Sequence, residues 1–286
     1  MSVAVVTDST HYLPASLLAE HDVSQVSLYV VRDGVSQRES EITDLDAFYA
    51  ELRDARSLPT TSQPSVGDFL AVYEPLVAAG RDVVSIHLAG GISGTVESAR
   101  QAAAAATEGS DRRIEVLDSR MACGAEGLAV LAAVRGGREG GLDGAVRGAE
   151  AAIESLRRTF IFAVDTLEYL RRGGRIGPAQ AWLGGALKIK PILTLDGEIT
   201  PIERVRTSKR SFERMLQVAR DLASSGRDGW CVQHIQAPDE AARLATAAEE
   251  LIGVPPRFVS EVGPVIGAHV GPGLLGIGGI PAELLP

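Results

Sequence analysis

Two cysteines in 286 residues, Cys123 and Cys231, are too few for a disulfide framework and sit in no metal or redox spacing. A reducing, cytoplasmic setting is the simpler expectation. Aromatics make up only 5% of the chain against 45% hydrophobic residues, so a large pocket must be walled mainly by aliphatic side chains. Basic charge is also short: 28 Lys and Arg face 37 Asp and Glu, a net charge of −9. That balance argues against a general nucleic-acid partner. No apolar run approaches the roughly 18–20 residues of a membrane span, so no membrane-integral protein is expected. The N-terminal apolar residues have no basic flank and no long core, unlike a signal peptide. The histidines, His11, His21, His87, His234 and His269, include no pair at metal-ligand spacing, and no metal is expected. A P-loop is absent as well.

What is present is alternation. Short apolar runs at 3–6, 26–31, 83–88 and 113–117 read as strands. Between them lie helical stretches at 15–20 behind Pro14, at 45–52 behind an Asp44 cap, and at 66–79, 98–107 and 125–134. This order predicts an α/β fold with a mostly parallel sheet and helices on both faces. The glycine-rich residues 136–144 read as a flexible join, and 145–157 as a further helix. From residue 159 the texture changes. Strands at 160–164, 187–195, 198–205 and 230–235 and a last one at 257–261 mix with helices at 208–224 and 239–251. Asp196-Gly197 between two of those strands is a hairpin signal. The expectation is two domains, 1–158 and an α+β domain with a mixed sheet at 159–286.

The chain is organised around Leu88-Ala89-Gly90-Gly91-Ile92-Ser93-Gly94-Thr95. A glycine-bracketed Ser and Thr fall where a strand turns into a helix. Helix starts leave N–H groups unpaired and carry partial positive charge, and flanking glycines let a ligand approach the backbone. The setting suits a phosphate or carboxylate, or else Ser93 or Thr95 simply caps the helix. Gly91-Ile92-Ser93-Gly94-Thr95 fails the G-x-S-x-G pattern of a nucleophile elbow, although His269 could serve Ser93 as a distant base in a hydrolase. Gly271-Pro272-Gly273-Leu274-Leu275-Gly276 matches G-x-G-x-x-G, but too few residues follow for a dinucleotide-binding unit. His269 lies among glycines and a proline, which fits a rigid loop aimed at a ligand or a turn histidine bonded to backbone. Arg171-Arg172-Gly173-Gly174-Arg175 is either a solvated basic loop or a surface for phosphates or an acidic partner.

Together these motifs resemble the DegV family, in particular the FakB-type fatty-acid-binding subunits of bacterial fatty acid kinase. The matching stretches are Thr7-Asp8-Ser9-Thr10, Thr61-Ser62-Gln63-Pro64-Ser65, Ile92-Ser93-Gly94-Thr95 with Ser98-Ala99, Asp118-Ser119, residues 165–177, Lys190-Pro191-Ile192-Leu193, Val205-Arg206-Thr207 and His269-Val270-Gly271-Pro272-Gly273. They run nearly end to end in the family order. The chain departs from the family at Ala89-Gly90-Gly91, often serine-rich there, and at Tyr12. The resemblance implies a DegV-like pair of α/β domains with a long-chain fatty acid buried between them. It implies a carboxylate site of Thr61, Ser93 and His269, with Ser62, Gly94, Thr95 and Arg206 around it. It further implies no catalytic residue and no cofactor. A separate kinase subunit would make the acyl phosphate, and Arg171, Arg172 and Arg175 would face it.

Overall fold

The computed structural model describes residues 3–157, 159–183 and 189–286. In chain order the elements are β1 (Ala4–Asp8), α1 (Ala15–Glu20), β2 (Val23–Val26), β3 (Tyr29–Arg32), β4 (Val35–Arg38), α2 (Leu45–Asp54), β5 (Thr60–Ser62), α3 (Val66–Ala78), β6 (Val83–His87), α4 (Thr95–Ala106) and β7 (Ile114–Asp118). They continue with α5 (Cys123–Leu156), β8 (Ile161–Ala163), α6 (Glu168–Arg172), β9 (Lys190–Asp196), β10 (Glu198–Val205), α7 (Ser208–Ser224), β11 (Gly229–His234), α8 (Pro238–Ile252), β12 (Phe258–Glu261), α9 (Pro264–Val270) and β13 (Leu275–Ile280).

Strands β2-β1-β6-β7 form a four-stranded parallel sheet. Side-chain alternation dresses both its faces. Ala4 and Val6 of β1 pack with Phe69 and Tyr73 of α3 and Ala99 and Ala102 of α4, whereas Val5 joins the cluster built on α5. The second sheet, β10-β9-β8-β13-β11-β12, is mixed, with β11 and β12 parallel and the other neighbours antiparallel. Its alternation works the same way. Trp230 and Val232 face α7 and α8, and Cys231 faces α5. The result is five layers, with α5 shared between the sheets. One hydrophobic cluster runs from Val5 to Leu285, through both halves of the sequence.

Most expected elements are present, including the Asp44 cap, whose carboxylate accepts the Ala47 N–H at 2.9 Å. The Asp196-Gly197 hairpin joins β9 and β10. The expected strand start at Leu187 and Lys188, and Arg158 at the expected boundary, lie outside the described residues. Four readings need correction. The single strand expected at 26–31 is two, β2 and β3, and β3 leaves the main sheet to pair with β4 and β5. Residues 136–144 are no flexible join. They hold the bend of α5, broken at Gly140 and Gly141, and the two arms fold back on each other. A Cβ on Gly136 would strike the Gly144 carbonyl, and one on Gly148 the Ala132 carbonyl, so the glycines let the arms touch backbone to backbone. The residues around His269 are the short helix α9, not a loop. Finally, β12 is not the last strand, because β13 follows and lies inside the sheet.

Candidate functional site

An apolar cavity of ≈ 1190 Å³, including its open mouth, lies between the two halves. Leu28, Leu88, Ile92 and Ala122 wall it from one side, and Phe160, Phe162, Leu170, Leu195, Ile199 and Leu274 from the other. Its polar lining includes Thr61, Ser62, Gln63, Ser93, Gly94, Arg175 and His269. These come from β5, the turn before α4, the loop after α6 and the last turn of α9.

Thr61 and His269 meet: Thr61 Oγ1 is 2.7 Å from His269 Nε2. The other ring nitrogen, Nδ1, is buried and has no hydrogen-bond partner among the described residues. An orphaned N–H is costlier than an orphaned lone pair, so the ring proton belongs on Nε2. Nε2–H then donates to Thr61 Oγ1, and the Thr61 hydroxyl proton is free to donate into the cavity. Burial, reinforced by the charge of Arg175, pushes the His269 pKa down to about 4, so the ring is neutral at pH 7. Ser93 Oγ lies 2.8 Å from Thr95 Oγ1 and accepts the Thr95 N–H at 3.3 Å. Ser93 therefore contributes to the helix start and lines the cavity as well.

The glycines of this turn are also required by packing within the chain. A Cβ on Gly94 would collide with the Gln63 amide, and one on Gly91 with the Gly197 carbonyl of the β9–β10 turn. They admit neighbouring parts of the same chain. Gln63, which has no assigned role in the sequence motif, donates from Nε2 to Ser98 Oγ at 2.8 Å and fixes β5 against α4.

The remaining candidates divide. Ser62 and Gly94 are on the cavity wall. Thr95 is fully buried behind Ser93 and does not line the cavity. Arg206 is exposed beyond the end of β10, also outside the lining. The arginine cluster is split. Arg175 lines the cavity and donates from Nη1 to the Gly173 carbonyl at 2.8 Å and from Nε to the Ile92 carbonyl at 3.3 Å. Arg171 is exposed and paired with Glu168 at 2.6 Å, and Arg172 donates to the Arg56 carbonyl at 2.9 Å. Nothing in the spacing of the cluster distinguishes Arg175. Only the turn of the chain at Gly173 and Gly174 aims it inward.

A serine–histidine–aspartate chain does exist, but elsewhere. Ser85 Oγ is 2.7 Å from His87 Nε2, and His87 Nδ1 is 3.1 Å from Asp8 Oδ2. All three residues are fully buried and none lines the cavity, so no substrate reaches them. Asp8 also accepts the Leu88 N–H at 3.0 Å, which fixes the start of the Ser93 turn. Burial raises the Asp8 pKa, but the His87, Thr10 and Leu88 contacts outweigh it and hold the group ionised, below the usual range. Ser93 and His269 share no hydrogen bond. No group of His, Cys, Asp and Glu among the described residues could hold a metal ion, and no described helix is long and apolar enough to cross a membrane.

This architecture has known counterparts. A family model described as "Uncharacterised protein, DegV family" matches residues 2–282. The chain belongs to the DegV family. A DegV domain-containing protein of Streptomyces coelicolor is 41% identical over 279 residues, 96% of this chain and 97% of its own length. A solved DegV family protein of Thermus thermophilus, described as binding fatty acid, superposes with a TM-score of 0.85 at 37% identity, covering 97% of this chain and 98% of its own. DegV of Bacillus subtilis, described as a fatty acid binding protein, gives 0.84 at 37% identity over 97% and 98% of the two chains.

Proposed function

We propose that this DegV family member binds a long-chain fatty acid in the cavity between residues 1–158 and 159–286. The carboxylate would sit at Thr61, Ser93 and His269, beside Ser62, Gly94 and Arg175. The observation that carries this reading is the Thr61–His269 contact, 2.7 Å long, on the wall of an otherwise apolar cavity. Each buried CH2 contributes ~0.8 kcal/mol, so a C16 tail gains on the order of 10 kcal/mol gross. A bare carboxylate would give back several kcal/mol of that unless it were hydrogen-bonded. The free Thr61 hydroxyl proton, the Ser93 hydroxyl and Arg175 are donors suited to it, and the neutral His269 orients Thr61. The two fatty-acid-binding relatives of the same fold support the ligand class.

The chain's role is to hold and present the acid rather than transform it. A separate fatty acid kinase would supply ATP and make the acyl phosphate on the presented carboxylate. The exposed Arg171 and Arg172, on the same turn as Arg175, suit an acidic partner or its phosphates. Two buried, unpaired thiols fit a reducing cytoplasm. A hydrolase built on Ser93 and His269 has less support, because the serine lacks the base.

Mass spectrometry of lipid extracted from the denatured purified protein should find fatty acid near one equivalent. In delipidated protein, Thr61→Ala and Ser93→Ala should each weaken binding about tenfold or more, as for removal of a charge-assisted hydrogen bond. Unaltered affinity in both variants would contradict the assigned carboxylate site. Protein, fatty acid and ATP alone should yield no acyl phosphate, and an ester substrate no turnover.

A further inference from the structure

His269 reaches the cavity from α9, a helix of seven residues. The seat of that helix is set by the opposite half of the chain. The Val265 N–H donates to Glu39 Oε1 at 2.7 Å, and the Ile266 N–H to the Tyr12 hydroxyl at 3.2 Å. The Tyr12 hydroxyl donates in turn to Glu39 Oε1 at 2.8 Å. The Tyr49 hydroxyl lies 2.6 Å from the Val262 carbonyl and 3.0 Å from that of Gly263, just upstream. The packing is as close as the bonding. A Cβ on Gly263 would meet the Tyr12 ring and Glu39, and one on Gly267 the Tyr49 hydroxyl. His269 stands four residues after Val265, about one turn and ~6 Å along the axis. In so short a helix, a displacement at Val265 is carried to the imidazole.

Glu39 itself is buried and does not line the cavity. Its second oxygen accepts from Ser9 Oγ. Among the described residues, the titratable groups that bear on it are Asp8 of β1, Tyr12 of the following loop, Tyr49 of α2 and Cys123 of α5, with no cation among them. A buried carboxylate without a counter-ion is a costly choice for a role in packing alone.

We propose that Glu39 is a positioning residue for the carboxylate site: with Tyr12 it clamps the first turn of α9, so that His269 already faces Thr61 before a ligand arrives. This rests on the fatty-acid reading above. Its energetic content is preorganisation, since a site that must be ordered on binding loses affinity to that ordering. Oε1 alone faces α9, so a glutamine amide oxygen can replace it, while the Ser9 contact is dispensable to the clamp.

The test uses delipidated protein carrying Glu39→Leu, Glu39→Gln or Ser9→Ala, read by palmitate affinity and by the NMR titration of the His269 ring. Glu39→Leu should weaken palmitate about tenfold. It should also move the His269 titration up from about 4 toward the ordinary histidine range, as the ring leaves its dry seat. Glu39→Gln should restore affinity to within about threefold of wild type, and Ser9→Ala should match wild type in both readouts. A folded Glu39→Leu protein that binds and titrates like wild type overturns the proposal. If that variant fails to fold, Tyr12→Phe removes the hydroxyl between Glu39 and Ile266. It should shift both readouts in the same directions by less, and wild-type behaviour there overturns the proposal equally. Wild-type protein that takes no palmitate would refute the fatty-acid reading instead, and the His269 titration still tests the clamp.

Discussion

Three carboxyl groups, Asp8, Glu39 and Glu126, lie buried without a lysine or arginine partner among the described residues, and their proton inventory can be worked out. The Thr10 hydroxyl has one proton, yet lies 2.7 Å from Asp8 Oδ1 and 2.9 Å from Glu126 Oε2. One carboxyl must therefore donate to it. Burial and the Asp8 charge push the Glu126 pKa far up, so Glu126 is the neutral donor and Asp8 the anion. Glu39 is the one poised to change. Burial raises its pKa to about 7, against the opposing hydrogen bonds of Ser9, Val265 and Tyr12. A carboxyl whose pKa is raised on folding holds its proton more tightly in the folded state. Its stabilising contribution is complete below pH ~4.5 and is lost as pH rises through ~7. Glutamine carries no such penalty. The stability of Glu39→Gln relative to wild type should therefore improve by about 2–3 kcal/mol between pH 4 and pH 8, measured by urea unfolding. A flat difference would mean that folding does not raise the Glu39 pKa. None of this was legible in the sequence, where Glu39 is one acid among 37 in a polar stretch. Ser93 stood out at its strand-to-helix turn and His269 among its glycines, whereas Thr61 came only with the family's motifs. Gly91 and Gly94 were visible as glycines, but not the groups that crowd them, Gly197 and Gln63, which are remote in sequence.

At the scale of elements, the readable parts were those whose signals are local. The Asp196-Gly197 turn, the Asp44 cap and the 208–224 helix each depend on a few adjacent residues. The unreadable parts depend on packing. Leu275-Gly276-Ile277-Gly278-Gly279-Ile280 has a strand's alternation but poor strand propensity. It becomes β13 because Phe160 fills the space at Gly278 and Trp230 that at Gly279. The bend in α5 is a similar case. Its glycines look like flexibility and instead are the contact surface of a helical hairpin. Gly136→Ala would drive a methyl into the Gly144 backbone, which cannot turn away as a side chain can. The expected cost is about 2–3 kcal/mol or more, seen as a lower unfolding midpoint with unchanged helix content below it. Gly141→Ala is a different test. That position has open space but φ 62° and ψ −151°, a region that essentially only glycine adopts, so only backbone strain opposes it. A loss of about 1–3 kcal/mol is expected, from strain alone. A Gly136→Ala protein as stable as wild type would contradict close backbone contact as the reason for that glycine.

For the whole molecule, the alternation of strands and helices was enough to indicate two sheets of different character. It did not indicate that α5 would lie between them, nor that one hydrophobic cluster would run through both halves. Those facts follow from which face of each strand α5 covers. They matter because the cavity is what remains where β5, α9 and the Ser93 turn approach the β8–β9–β10 side beside that helix. A pocket made this way is greasy along most of its wall and polar where β5, the Ser93 turn and α9 come together, the character an amphiphile with one acidic end requires. Delipidated wild-type protein titrated in parallel with a C16 fatty acid and with the C16 primary alcohol separates the tail's contribution from that of the acid group. The account predicts tight one-to-one binding of the acid and binding of the alcohol weaker by about a hundredfold, as for the loss of two or more charge-assisted hydrogen bonds. Equal affinities for the two, or no binding of the acid, would contradict it.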